Sequence, residues 1–151
     1  HNDPERTAAS FVELEGRRWF VTGDHATIEA DGTITLRGRG SACINTGGEK
    51  VFVEEVENAL KDHPAVLDVL VVGRPSSRFG EEVVAIVQSI PDVPAPTPQN
   101  LRDFVGRTIA RFKAPRAVAY CETIGRHPTG KPDYQWARER AAHAIPVAEG
   151  E

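Results

Sequence analysis

Methionine is absent from the 151 residues, cysteine occurs only twice, and no apolar run approaches the ~20 residues that a membrane span requires. Each shortage excludes something. Cys43 and Cys121 are too few for a disulfide framework and show no zinc-ligand spacing, which favours a reducing compartment. A chain that starts His1-Asn2-Asp3 and holds no methionine is expected to be a piece of a longer protein, and no signal-peptide pattern opens it. A basic excess is missing too. Eighteen Lys+Arg against 22 Asp+Glu leave a net charge of −4 and a pI near 5.8, which argues against a general nucleic-acid binder. What is present is ordinary globular usage: 40% apolar and 26% charged residues, with a mean hydropathy of −0.36. A chain of this length buries about 68–70% of its unfolded surface, so it needs no disulfide or metal staple. The expected location is cytoplasmic, with no transmembrane segment and with peripheral membrane association left open.

The chain opens polar, from His1 to Arg18, with a short helix expected over Glu5 to Phe11. Asp31-Gly32 between two β-favouring runs predicts a hairpin over residues 26–37. Four glycines between Gly38 and Gly48 mark backbone that bends or admits a close approach. A helix is expected from Val53 to about His63-Pro64, with Val56 and Leu60 on one face. Val66 to Val72 reads as a strand buried on both faces, and Glu82 to Gln88 as its antiparallel partner. Pro91, Pro94, Pro96 and Pro98 make a loop. Leu101, Phe104, Val105, Ile109 and Phe112 then follow the stripe of one amphipathic helix. Ala117 to Cys121 reads as a third strand, Asp133 to His143 as a last helix, and residues 144–151 as a disordered tail. The fold class is α+β: a β-hairpin followed by a small mixed three-stranded sheet flanked by helices.

Gly125 and Gly130-Lys131 satisfy the G-x-x-x-x-G-K spacing of a phosphate-cradling loop. Pro132 stands where the magnesium-binding hydroxyl belongs, and Pro128 and Pro132 remove two N–H donors from a loop that must offer them. The match is rejected. His25, His63, His127 and His143 show no metal spacing and read as surface or helix-end residues, and the two cysteines read as apolar fillers.

Three separated segments carry a resemblance. Trp19-Phe20-Val21-Thr22-Gly23-Asp24, then Gly38-Arg39 through Gly48-Glu49-Lys50 with Glu55-Val56-Glu57, then Pro128-Thr129-Gly130-Lys131 resemble, in order and spacing, the closing motifs of the adenylate-forming superfamily. That group includes acyl-CoA synthetases, adenylation domains of peptide synthetases and firefly luciferase. Cys43 to Lys50 is most similar to fatty-acyl and related aliphatic acyl-CoA synthetases. The resemblance covers about residues 1–143. It implies a junction segment and hairpin over 1–37, a carboxy-terminal AMP-binding-enzyme domain over 38–143, and a large amino-terminal domain outside this chain.

The reaction so implied has two steps. A carboxylic acid and ATP form an acyl-adenylate and pyrophosphate, and the thiol of CoA then displaces AMP. By motif position, Asp24 would accept hydrogen bonds from the ribose hydroxyls of ATP. Arg39 would reach the same ribose or a neighbouring phosphate. Lys131 would be catalytic, its ammonium offsetting charge at the acyl carboxylate and α-phosphate. Thr46, Gly47 and Gly48 would line the tunnel for the pantetheine arm of CoA, and Ser41 would be the hinge between two poses of the small domain. The family most often has Asp or Lys at that hinge, so the polar contacts holding each pose must differ here. Lys50, Arg74, Arg78 and Arg116 are candidates for CoA phosphates, each with ordinary surface charge as the alternative. Mg2+ and most of the ATP site are expected on the large domain, as is the acid pocket, so the piece alone is expected to be inactive. The implied partners are that domain, a small carboxylic acid and CoA, and no nucleic acid. Two alternatives stand: an adenylation domain of a peptide or siderophore synthetase, and a non-catalytic binding module of the same fold.

Overall fold

The structure, a computed structural model, describes residues 3–39 and 43–148, without the side chains of Arg6, Arg37 and Arg39. The chain divides into two units, residues 1–41 and 42–151, a few residues beyond the 37/38 division that the resemblance implies.

In the first unit a short helix α1 (Pro4–Ala9) leads into strands β1 (Phe11–Leu14), β2 (Arg17–Phe20), β3 (Asp24–Ile28) and β4 (Ile34–Arg39). They form two separate antiparallel pairs, β1–β2 and β3–β4. The second pair is the hairpin expected around Asp31-Gly32, extended outward to Asp24 and Arg39. The first was not anticipated in a stretch read only as polar. Its turn is Glu15-Gly16, both at positive φ (53° and 70°), the two-residue geometry that suits the twist of a hairpin. None of its described residues belongs to the buried apolar core, and Leu14, Trp19, Phe20, Ile28, Ile34 and Leu36 stand exposed.

The second unit runs β5 (Cys43–Thr46), β6 (Glu49–Phe52), α2 (Val53–Lys61), β7 (Val66–Ser76), β8 (Gly80–Ser89), α3 (Pro98–Thr108), a 3-10 turn (Arg111–Lys113), β9 (Ala117–Cys121), α4 (Tyr134–Ala141) and β10 (Ile145–Pro146). The central strand is β8, antiparallel to β7 and parallel to β9. These are the three strands expected from the apolar runs. The runs are unbroken because both faces of the sheet are covered. Val69, Val71, Val83, Ala85 and Val87 meet Val56 and Leu60 of α2 and Leu101 and Val105 of α3. On the other face Leu70, Val72, Val84 and Ile86 pack with Ala137 and Ala141 of α4.

Three features depart from expectation. The β5–β6 hairpin joins the start of β8 through Thr46 and Gly80, and β10 adds a strand beyond β9, so the mixed sheet is wider than three strands. Residues 145–148 are therefore not a disordered tail: Ile145 and Pro146 pair with Val118 and Ala117, and Val147 is buried and donates its N–H to Arg116 O at 2.8 Å. An apolar side chain and a free strand edge together reward ordering. The third helix stops at Thr108; Ile109 is extended and Phe112 lies on the 3-10 turn. Gly106 and Thr108 are weak helix formers, and the turn places Ala114 and Pro115 in the buried base of β9. Its start is well defined, with Pro98 in the first turn and Thr97 Oγ1 accepting from Asn100 N–H at 3.1 Å. His63 ends α2 as expected but is buried: Nδ1 accepts from Ala65 N–H at 3.1 Å and Nε2 lies 2.7 Å from Asn100 Oδ1.

Candidate functional site

Asp24 and Arg39, the two nucleotide candidates, are register partners at the open end of β3–β4. A bulge between His25 and Ala26 sets His25 opposite Gly38 but Ala26 opposite Leu36, inserting one residue into β4. Asp24 is exposed, and its N–H donates to Thr22 Oγ1 at 3.2 Å. A short carboxylate at the mouth of a hairpin is accessible to a vicinal diol.

The glycine-rich run from Thr46 is a tight hairpin in the second unit. Thr46 pairs with Glu49, so Gly47-Gly48 is a two-residue turn with φ of +61° and +86°. Both torsions suit glycine, which forms such a turn without strain. The turn docks on the β7–β8 connection: Gly47 N–H donates to Phe79 O at 2.8 Å, and Asn45 N–H donates to Glu81 Oε2 at 2.9 Å. Thr46 is buried, whereas Gly47 and Gly48 are exposed.

Lys131 sits on a second small hairpin. Gly130 N–H donates to His127 O at 2.8 Å and His127 N–H donates to Lys131 O at 2.9 Å, with Arg126 bridged to Pro132. Pro128 presets the turn and Gly130, at φ +80°, closes it with a left-handed residue. Those amides are spent inside the turn, which bears out the rejection of a phosphate-cradling loop. Lys131 is exposed and makes no ion pair among the described residues. The hairpin is fastened at its base. Asp133 N–H donates to Gly125 O at 3.1 Å, and Asp133 Oδ1 caps α4 through Gln135 and Trp136 N–H. Gly125 lies against the Trp136 ring so closely that a Cβ there would stand 2.5 Å from it. Arg126 donates to Gly130 O at 3.1 Å and pairs with Asp68 of β7.

A cleft of about 640 Å3 opens between the β7–β8 turn, α3, the 3-10 turn and β10. Arg78, Arg102, Arg111 and Arg116 line it together with Phe79 and Gln99. The guanidinium of Arg116 stacks on the Phe79 ring at 3.7 Å, and its Nε is buried without a hydrogen-bond acceptor. Arg78 and Arg116 were singled out by the sequence; Arg102 on α3 and Arg111 on the 3-10 turn were not, because only the fold brings the two elements to the same wall. Arg74 is structural: it pairs with Glu82 and donates to Ala141 O at 2.9 Å and Ala144 O at 3.4 Å, holding the end of α4. Lys50 is exposed at the start of β6.

The sequence placed Glu57 within a motif but assigned it no role. Its carboxylate is buried on α2, accepting from Val71 N–H at 2.9 Å and from the Tyr134 hydroxyl at 3.2 Å. Burial pushes its pKa up to about 7 against those two donors, and pushes the Tyr134 hydroxyl far above its usual range. Glu55, two residues earlier on α2, pairs with Lys113 at 2.7 Å. The fold thus brings together Asp24 with Arg39 in one unit, and in the other seats the Gly47-Gly48 turn against Phe79 and displays Lys131. Ser41, the hinge candidate, lies outside the described residues, next to the division between units. Among the described residues no three of His, Cys, Asp and Glu gather as metal ligands, and no helix is long and apolar enough to cross a membrane.

Known proteins share both sequence and fold. The 3-oxocholest-4-en-26-oate–CoA ligase of Rhodococcus rhodochrous is 51% identical over 140 residues, 93% of this chain and 25% of the relative. The medium/long-chain-fatty-acid–CoA/3-oxocholest-4-en-26-oate–CoA ligase of Mycobacterium tuberculosis is 48% identical over the same shares. This chain therefore spans about a quarter of the relatives it matches. ATP-bound MatB from Rhodopseudomonas palustris superposes with a TM-score of 0.76 at 30% identity, over 91% of this chain and 27% of that one. The family model of the AMP-binding enzyme C-terminal domain matches residues 55–131, from Glu55 on α2 to Lys131 itself. With just over half of its residues matched and the Lys131 hairpin at the end of the match, the chain belongs to the family of AMP-binding enzyme C-terminal domains.

Proposed function

We propose that this chain is the carboxy-terminal part of an ATP-dependent ligase that converts a fatty or related aliphatic carboxylic acid and CoA into acyl-CoA, AMP and pyrophosphate. The Lys131 hairpin carries the reading: a backbone-fixed turn presents an exposed ammonium without a carboxylate partner among the described residues. In the first step a carboxylate oxygen attacks the α-phosphorus of ATP and pyrophosphate leaves. Lys131 offsets the charge that builds on the phosphoryl and carboxylate oxygens. Asp24 accepts from the ribose hydroxyls, with Arg39 opposite it reaching the ribose or a phosphate. In the second step the CoA sulfur attacks the acyl carbonyl and AMP departs, with the pantetheine arm passing over Thr46-Gly47-Gly48. Turning at Ser41 would exchange the two faces of the small domain between steps. The larger part of the protein would hold the acid, most of the ATP and the Mg2+, for which the described residues provide no ligand set. The exposed apolar side chains of the first unit suit packing on that larger part.

The arginine-lined cleft favours CoA over a carrier protein as acceptor. Phe79 joins the two places: its carbonyl accepts from Gly47 and its ring floors the cleft. A pantetheine arm crossing the glycine turn would therefore reach four guanidinium groups at its phosphorylated end. CoA carries a 3′-phospho-ADP there, and a carrier-bound pantetheine does not.

The test separates the half-reactions of the full-length enzyme. Lys131→Ala is expected to lower acyl-adenylate formation on the order of 10²–10³-fold, while transfer from supplied acyl-adenylate to CoA continues. Equal loss in both steps, or no pyrophosphate release from the wild type with any aliphatic acid, would overturn the proposal.

A further inference from the structure

Lys131 is exposed and long, with many rotamers open to it, yet the chemistry proposed for it needs an ammonium delivered to within about an ångström. Something must fix the backbone from which it projects. The hairpin's own hydrogen bonds set its shape but not its attachment to the sheet. Beyond the contacts at its base, where Asp133 N–H meets Gly125 O and Ile124 N–H donates to Gln88 Oε1 of β8 at 3.1 Å, one side chain ties the hairpin to β7. Arg126 donates from one guanidinium nitrogen to Gly130 O at 3.1 Å, the carbonyl of the peptide bond that joins Gly130 to Lys131. Its other terminal nitrogen pairs with Asp68 Oδ2 on β7. Asp68 is itself held: Oδ1 accepts from Val69 N–H at 2.9 Å and lies 3.8 Å from Lys61 Nζ at the end of α2. The side chain of Asp68 is only 19% exposed, so this end of the brace is rigid. A planar fork can span a carbonyl on one side and a carboxylate on the other, which a single ammonium does not reproduce.

We infer that Arg126, anchored by Asp68, is a positioning residue for Lys131: it locks the Gly130–Lys131 peptide and so aims the lysine in the adenylate-forming step. This rests on the ligase reading for its kinetic consequence and on the geometry alone for its structural one. Arg126 touches no reacting atom. Its contribution is orientation, and a misplacement of about 1 Å at a reacting group costs on the order of 10²-fold in rate.

The experiment uses the full-length enzyme with Arg126→Ala, Arg126→Lys and Asp68→Asn, each alone and combined with Lys131→Ala. Acyl-adenylate formation is expected to fall on the order of 10–10²-fold in Arg126→Ala, with little recovery in Arg126→Lys. In the Lys131→Ala background the same change is expected to cost less than about twofold, because there is no ammonium left to aim. A merely structural residue would keep its full cost there. Hydrogen exchange, which needs no activity, supplies the second arm. The peptide spanning residues 125–133 should exchange faster at His127 and Gly130 in both Arg126→Ala and Asp68→Asn. Undiminished cost in the Lys131→Ala background, or unchanged exchange in that peptide, would overturn the inference. A wild type that forms no adenylate would instead overturn the ligase reading, and the exchange arm would still decide the brace.

Discussion

Asp24 and Arg39 are direct cross-strand partners, brought into register by the Asp31-Gly32 turn and a one-residue bulge beside His25. The pairing places a carboxylate and a guanidinium residue at the same end of one hairpin. A hydrogen bond to a charged group contributes about 1.5–3 kcal/mol. Asp24→Asn in the full-length enzyme is therefore expected to raise the KM for ATP on the order of 10–10²-fold. Pyrophosphate exchange at varied ATP measures it, and an unchanged KM would remove Asp24 from the nucleotide site.

The arginine-lined cleft leads to a prediction about acceptor choice. Arg116→Ala, which removes the guanidinium stacked on Phe79, should lower kcat/KM for CoA at least about tenfold. The value for pantetheine, which lacks the nucleotide, should stay within about twofold. The preference for CoA over pantetheine should also weaken with added salt. A parallel fall with both acceptors would place the nucleotide end elsewhere.

Glu57 predicts a pH dependence of stability. Its folded pKa is raised to about 7, above the ordinary value of 4.5, chiefly by burial. The folded state thus binds the proton more tightly than the unfolded state. The stabilisation is fully present below pH ~4.5, falls as pH rises toward ~7, and is lost above it, by at most roughly 3 kcal/mol. Glu57→Gln keeps an oxygen for Val71 N–H and the Tyr134 hydroxyl but does not titrate. Urea unfolding of the 151-residue chain at pH 5 and pH 8 should show the wild type losing stability relative to Glu57→Gln as pH rises. Parallel curves would mean that Glu57 does not titrate in this range.

Ser41 supplies a test of turning between the two steps. Proline fixes φ near −65° and removes the N–H, so Ser41→Pro should leave acyl-adenylate formation within several-fold of wild type. Transfer to CoA should fall by far more. Normal transfer would show that the chain does not turn at this residue.

Short-range chemistry was readable in advance. Asp31-Gly32 specified a hairpin because Gly32, at φ +83°, closes its turn in a left-handed conformation without strain, and the unbroken runs at Val69–Val72 and Val83–Val87 announced a sheet covered on both sides. The order of the motifs around Asp24, Gly47 and Lys131 pointed to the family because each is a local backbone device carried by a few adjacent residues. The β1–β2 hairpin escaped notice because Glu15-Gly16 is a weaker turn signal than Asp-Gly and its strands are buried nowhere in this unit. Residues 145–148 of the expected tail were misread for the opposite reason, since Ile145 and Val147 are ordered by an edge of β9 that no window of sequence contains; residues 149–151 lie outside the described residues.

What the sequence determined by itself was the set of local conformations and the residue types available for chemistry. What only the tertiary structure decided was which distant residues meet. Asp68 and Arg126, Glu57 and Tyr134, and the four arginines of the cleft come from segments whose separation carries no periodic signal. Their encounters follow from sheet order and from the helices packed on its two faces. A charged side chain in a sequence reads as solvated by default. Only burial beside a specific donor or acceptor, as at Asp68 and Glu57, turns it into a brace or a titrating group.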